Sequence, residues 1–263
     1  MSEPILVFEH VAKRFTKRSG TITALEDADI TVNKGEFLSI VGPSGCGKST
    51  LLNMAAGLMP PSAGRVFYDG KEVTKVNTRV GYVTQRDNLI PWRKVSDNIR
   101  IALEIRGTGD DGDMADQVSA VIEKVGLRGF ENHFPAELSG GMRKRVTLAR
   151  TLIYDPETLL MDEPFGALDA QLKLVLQEEL LRLWTDGEGK TIVFVTHDLS
   201  EAVALSDRVV VLSSRPSKVK VIRTIDIPRP RDAFKVRFDP RFTELSHELW
   251  DLMQDDIMRG EDM

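Results

Sequence analysis

Phe37-Leu-Ser-Ile-Val-Gly42-Pro-Ser-Gly-Cys-Gly-Lys48-Ser49 is the stretch that decides how this sequence reads. The five residues Phe37–Val41 are the pattern of a buried strand, the glycines that of a loop, and a helix opens near Lys48. Together they fit G-x-x-x-x-G-K-[ST]. The residue types have a mechanism. Glycines let successive backbone N–H groups curl around phosphate oxygens. The helix that follows points its positive end at the same anion. Lys48 is then placed to reach the β- and γ-phosphates of a nucleoside triphosphate, and the Ser49 hydroxyl to ligate Mg²⁺. Cys46 reads either as a small residue tolerated inside the loop or as a thiol open to alkylating reagents.

Outward from this loop, short apolar runs alternate with helical segments, the pattern of a mostly parallel α/β core. Strands are expected at Ile5–Phe8, Phe37–Val41, Arg79–Val83, Leu159–Met161, Ile192–Val195 and Val209–Leu212. Thr23–Val32 and Arg65–Tyr68 read as a small antiparallel layer beside them, the latter ending in a Tyr68-Asp69-Gly70 turn. From Val95 to Leu152 the character becomes helical, with Val118, Val121, Ile122 and Val125 on one face and a loop at Gly107–Gly112 before it. Asp169–Trp184 reads as another amphipathic helix, closed by Asp186-Gly-Glu-Gly189. Beyond Asp226 comes a stiff basic segment, Pro228-Arg-Pro-Arg-Asp232. Phe242, Leu245, Leu249, Leu252 and Met253 then line one helix face.

Composition narrows the classes. The chain has 263 residues with 41% hydrophobic and 29% charged, an ordinary balance for a water-soluble fold. A net charge of −5 argues against broad nucleic-acid binding, which needs a basic face. One cysteine makes neither an internal disulfide nor a cysteine zinc cluster. The apolar run Pro4–Phe8 is too short for a signal-peptide core, and no run approaches the roughly 18 apolar residues of a membrane span. The polypeptide is therefore expected in the cytosol, meeting a membrane only through a partner.

Two further stretches complete the chemistry. Leu159-Leu-Met-Asp162-Glu163 is an apolar strand ending in two acids. Asp162 is placed to hold Mg²⁺ through its water shell, and Glu163 to polarise an attacking water. Leu138-Ser-Gly-Gly-Met142, followed by Arg143-Lys-Arg145, makes a second anion-binding helix start, with Ser139 as its cap. One nucleotide site does not need two phosphate cradles. Two chains facing head to tail would need both.

With these motifs in order, the chain resembles the ATP-binding subunit of an ATP-binding-cassette (ABC) transporter, from Val7 to about Leu212. The resemblance implies an α/β P-loop NTPase (RecA-like) core with a small antiparallel β layer and an inserted helical subdomain. Residues 1–85 and 153–225 would form the core, 86–152 the helical signature subdomain, and 226–263 a C-terminal tail with an amphipathic helix. It implies ATP and Mg²⁺ as ligands, and a dimer, read as two identical chains, that sandwiches two ATP molecules. ATP would contact Phe15, whose ring stacks on adenine, and Gly42, Pro43, Ser44, Gly45, Cys46, Gly47, Lys48, Ser49 and Thr50. Ser139, Gly140 and Gly141 would close on the γ-phosphate held by the other copy; Met142 departs from the family's usual Gln. Ser49, Gln85 and Asp162 would serve the metal. Glu163 would be the base, with His197 orienting the water, Gln85 contacting it and Lys48 on the phosphates. Ala167-Leu-Asp169 resembles the loop linking the two sites.

The stretch Asp162–Asp169 is similar to that of bacterial uptake ATPases. Leu138–Arg145, Ser214-Arg-Pro216 and Arg229–Asp232 look most like the nitrate/sulfonate/taurine importer branch. This implies transmembrane permease subunits as partners, a solute-binding protein indirectly, no nucleic acid, and a peripheral place on the cytoplasmic face of the bacterial inner membrane. Two alternatives stay open: a soluble cassette ATPase of translation or DNA maintenance, and a P-loop small-molecule kinase.

Overall fold

The computed structural model describes residues 3–17, 20–107, 110–166, 168–185 and 189–261. Thr108 and Gly109 of the expected loop, Ala167, and Asp186–Glu188 lie outside the described residues. Among the described residues ten strands form one sheet: β1 (Pro4–Lys17), β2 (Gly20–Asn33), β3 (Phe37–Val41), β4 (Ala63–Tyr68), β5 (Lys71–Glu72), β6 (Val80–Val83), β7 (Thr158–Asp162), β8 (Thr191–Val195), β9 (Arg208–Leu212) and β10 (Ser217–Thr224). Their spatial order is β5-β4-β1-β2-β10-β9-β3-β8-β7-β6. The half β9-β3-β8-β7-β6 is parallel. In the other half β1 pairs antiparallel with β2 and with β4, and β4 with β5. This is the parallel core with its antiparallel layer.

The parallel strands are mostly apolar because both of their faces are covered. Side chains alternate between the faces. Phe37 and Val41 of β3, with Ile192 and Phe194 of β8, enter the cluster that also holds Leu176, Leu180, Leu205, Leu245 and Leu249. Leu38, Ile40, Val193 and Val195 enter the opposite cluster, with Leu51, Leu52 and Met54. The first face is packed by α5 (Ala170–Thr185), α6 (Leu199–Leu205) and α7 (Pro240–Glu261), the second by α1 (Lys48–Ala55). A third cluster, Val95, Ile99, Val118, Val121, Ile122, Val146 and Ala149 among its members, joins α2 (Val95–Arg106), α3 (Asp111–Lys124) and α4 (Gly140–Leu152).

Several elements differ from the sequence expectation. β1 runs on through Phe15 to Lys17, because β2 pairs with it to Gly20. A register shift around His10, whose φ is 47°, breaks the alternation that would have shown this. β10 was not expected; it joins the two halves, pairing with β9 and β2. The basic segment is not an exposed linker. Arg231 is 9% exposed and donates to the carbonyls of Ser206 (2.7 Å), Ile227 (2.8 Å) and Ile225 (3.2 Å). Arg229 lies 4.3 Å over the Trp184 ring and pairs with Asp207 at 2.9 Å.

Candidate active site

β3 delivers the loop Gly42–Gly47 to the start of α1. Gly45 (φ 75°) and Gly47 (φ 101°) take left-handed backbone that only glycine adopts without strain. At Gly47 a Cβ would also press on the Leu25 side chain at 3.1 Å. Cys46 is 1% exposed, and burial pushes its thiol pKa up. Of its two readings the small tolerated residue holds and the thiol open to reagents does not: the side chain packs under the loop. The buried Lys48 ammonium donates to the carbonyls of Gly42 (2.8 Å) and Pro43 (3.0 Å).

Above the loop opens a cleft of about 650 Å³, lined by both polar and apolar side chains. Ser44, Gly45, Gly47, Lys48, Ser49 and Thr50 form its floor. Gln85, Glu163 and His197 stand on one wall, and Phe15, Ile22 and Ala24 on another. Phe15 is half-buried, with the Lys13 ammonium 5.4 Å from its ring centroid. Sequence reasoning thus placed most of the lining. It missed Ile22, Ala24 and Arg215, and only the last lay in a motif that had been noticed.

The Ser49 hydroxyl donates to Asp162 Oδ1 at 3.0 Å. Burial, helped by the neighbouring Glu163, pushes the Asp162 carboxyl above its usual range, against the pull of Ser49 and Lys48. A hydroxyl and a carboxylate oxygen side by side are the hard donors Mg²⁺ takes when substrate phosphates and water fill its other positions. Among the described residues no cluster of three or more His, Cys, Asp and Glu could hold a metal without such help.

Glu163 follows β7 directly, with φ at 45°. Its N–H donates to Val195 O at 2.9 Å, which ties it to the end of β8. Its Oε2 accepts from Gln85 Nε2 at 3.2 Å and lies 3.3 Å from His197 Nδ1. Two side chains from two other strand ends therefore converge on one oxygen of Glu163. The loop carrying His197 is held from below: Thr196 donates to the buried Glu201 at 2.6 Å, and Asp198 N–H donates to Thr196 at 3.0 Å.

A carboxylate that can take a proton, beside a triphosphate-sized cradle and a pair of oxygen donors, suits hydrolysis of a phosphoanhydride. The sequence profile described as ABC transporter matches residues 25–166, more than half of the chain. The chain belongs to the ABC transporter family. As an ABC cassette it is an ATPase. An uncharacterised ABC transporter ATP-binding protein of Methanocaldococcus jannaschii is 44% identical over 255 residues, 97% of this chain and 93% of that one. An aliphatic sulfonates import ATP-binding protein, SsuB, of Bacillus cereus is 43% identical over 84% of this chain and 86% of its own. Among solved structures, the dimeric post-hydrolysis cassette MJ0796 bound to ADP and Pi superposes with a TM-score of 0.76. It is 31% identical and covers 85% of this chain and 100% of its own.

The segment expected to form a second cradle lies away from this cleft. Ser139, Gly140 and Gly141 are not among the residues that line it. Ser139 is exposed and caps α4, its hydroxyl accepting from Met142 N at 3.3 Å. At Gly141 a Cβ would stand 2.2 Å from Leu172 Cδ2, so a larger residue there would push the Leu172 side chain of α5 aside. Met142 packs partly buried against the helical cluster of α2–α4, which explains why an apolar side chain is accommodated where the family more often has Gln. Asp169 accepts from Leu172 N at 2.9 Å and starts α5.

Helix α4 also grips the segment that carries Gln85. Lys144 donates to Gln85 O at 2.6 Å and pairs with Asp87 Oδ1 at 2.9 Å. Thr147 donates to Asp87 O at 3.1 Å, and Arg150 to Asn88 O at 3.0 Å. Gln85, which donates to Glu163, is thus bonded through its own carbonyl to the helix that Ser139 begins.

Proposed function

We propose that this cassette is the ATP-hydrolysing, energy-coupling subunit of an importer for a small anion such as a sulfonate, nitrate or taurine. The observation that carries the reading is the split of the machinery. The cleft gathers Lys48, Ser49, Gln85, Glu163 and His197, with Asp162 bonded to Ser49, while Ser139 is exposed at the start of α4 and, like Gly140 and Gly141, is not among the residues that line the cleft. A second copy turned head to tail would bring its Ser139–Gly141 start of α4 to the γ-phosphate, completing each centre. The dimeric cassette MJ0796 supports this assembly.

In this reading Phe15 stacks on adenine, which needs only a ring face. Lys48 turns from its two carbonyls to the phosphates, and the loop amides cradle them. Mg²⁺ between Ser49, Gln85, Asp162 and the nucleotide would neutralise phosphate charge. Glu163 takes the proton of the attacking water, with Gln85 and His197 fixing the carboxylate's position. Closure against the partner adds donors where charge develops, and ATP favours the closed state only through the contacts formed there.

A groove of about 860 Å³ supports the coupling partner. It runs from Leu58, Val76 and Tyr82 across to Ile101 and Ile105 on α2. Ile105 is 79% exposed and Leu58 and Val76 57% each, an apolar strip rimmed by Arg106, Asn77 and Asn88. Such a strip suits a permease segment, and Asn88 at its edge belongs to the stretch that α4 holds beside Gln85. Among the described residues no helix is long and apolar enough to cross a membrane. In this reading the translocation path belongs to permease subunits, a solute-binding protein delivers cargo, and the cassette sits on the membrane's cytoplasmic face. The sulfonate-import relative supports the choice of solute class.

Glu163→Gln is the test. It keeps the side chain's shape and hydrogen bonds and removes the base. ATP should still bind, the nucleotide-bound dimer should accumulate in light scattering, and turnover should fall about 10²–10⁴-fold. Turnover within a few-fold of the parent would remove Glu163 from the mechanism.

A further inference from the structure

One cation in the cleft has no part in the chemistry above. Arg215 sits in the turn between β9 and β10 and lines the cleft with Phe15, Gly45 and Lys48. Its Nη2 lies 3.5 Å from where a Cβ on Gly45 would be, at the rim of the phosphate loop. The side chain is exposed and makes no hydrogen bond or ion pair among the described residues, unlike Arg229 and Arg231, which are both used in packing.

The turn that carries it is braced. Ser213 N–H donates to Lys218 O, and Lys218 N–H to Ser213 Oγ, both at 3.0 Å. From the other side α7 reaches in with Asp256, whose side chain is 9% exposed. Its Oδ1 accepts from both Ser214 N–H and Ser214 Oγ at 2.9 Å. Its Oδ2 accepts from Lys220 Nζ at 2.7 Å, and Lys220 also donates to Leu252 O at 2.6 Å. Asp256 is therefore bonded to the residue directly before Arg215. Lys220 balances its charge, so the acid does not cancel the guanidinium. An unpaired guanidinium at the lip of an anion cradle, on a turn fixed from two sides, is pre-organised for an incoming anion.

We propose that Arg215 contacts the phosphate chain of the nucleotide as a second cation besides Lys48, and that the C-terminal helix sets its position through Asp256. The proposal rests on the cleft being the ATP site. It gives α7 a role beyond covering the sheet: a change in the docking of this helix would change nucleotide affinity across the β9–β10 turn. Arg215 is a binding residue in this scheme and Asp256 a positioning residue.

The experiment is calorimetric titration of MgATP into the full chain and five variants: Lys48→Ala, Arg215→Ala, Arg215→Lys, Asp256→Ala and the double variant Arg215→Ala/Asp256→Ala. Thermal melting without nucleotide monitors the fold. A charge-assisted contact at an exposed rim predicts about tenfold weaker binding for Arg215→Ala, near the lower end for hydrogen bonds to charged groups. Arg215→Lys should recover part of this loss, and the affinity of Arg215→Ala should fall less steeply with added salt than the parent's. Asp256→Ala should weaken binding when Arg215 is present and have no further effect when it is absent. Arg215→Ala within twofold of the parent, with binding lost in Lys48→Ala, overturns the inference and leaves the site intact. An equal loss from Asp256→Ala in both backgrounds overturns the positioning role. Undiminished binding in Lys48→Ala would instead remove the ATP site itself, and the inference with it.

Discussion

Lys144→Met would separate the part of this cassette that binds nucleotide from the part that senses it. The Lys144 side chain is 8% exposed and bridges two acceptors of the Gln85 segment, Gln85 O at 2.6 Å and Asp87 Oδ1 at 2.9 Å. Removing one partner of a fully buried pair costs about 3–5 kcal/mol. Here the loss is smaller, because Asp87 is 24% exposed and keeps Arg143 Nε at 3.4 Å. Methionine also preserves the apolar stem. About 2 kcal/mol is the resulting expectation, or roughly 30-fold in a local opening equilibrium. Backbone hydrogen exchange over residues 85–90 should rise by about that factor, while exchange in β3 and α1 stays at the parent's rate. The phosphate loop is untouched, so the Kd for MgATP should shift less than about threefold. Turnover should drop well beyond that, because the Gln85 contact to Glu163 at 3.2 Å is no longer held. Unchanged exchange over 85–90, or a loss of affinity as large as the loss of turnover, would refute the reasoning.

Other outcomes follow from the same geometry. Mixing Ser139→Arg chains with Lys48→Ala chains should restore part of the activity that each lacks alone, since one hybrid centre is intact; no recovery in verified mixed dimers would contradict the shared centre. Cys46, 1% exposed, should resist maleimides in the native chain and react at the ordinary thiol rate in urea. Asp256 is buried, but its hydrogen bonds from Lys220 and Ser214 hold its carboxyl below the usual range. A depressed acid contributes stability above its unfolded pKa, near about 4, and loses it as pH falls through the folded value. The stability gap between the parent and Asp256→Asn should therefore narrow in acid denaturation as pH falls below about 4; a gap that widens there would reverse the assignment.

What could be read from the sequence was whatever depends on near neighbours. The phosphate loop, the apolar strands and the Ser139 cap are short patterns with local causes, and each stands where the spacing put it. β10 was hidden because Lys218, Val219, Lys220 and Val221 give a one-sided alternation too weak to distinguish from a loop; its pairing with β9 and β2 comes from residues far along the chain. Arg231 reads as part of a stiff basic segment because two of its carbonyl partners, Ser206 O and Val203 O, lie on a stretch that the fold alone brings beside it. Cys46 carries no sequence mark of its burial. The convergence of Gln85 and His197 on one oxygen of Glu163 is likewise a product of strand order, with β8 and β6 flanking β7. Spacing could nominate those side chains but not bring them within hydrogen-bonding reach.

The backbone at Glu163 sets endurance against turnover. A non-glycine residue at a φ of 45° holds the chain about 1–2 kcal/mol above where glycine would leave it. Replacement by glycine would relieve that tension while discarding the carboxylate. A population of variants sorted only for surviving heat would drift toward tougher, inert cassettes at this residue, and only a simultaneous demand for work would keep the acid in place.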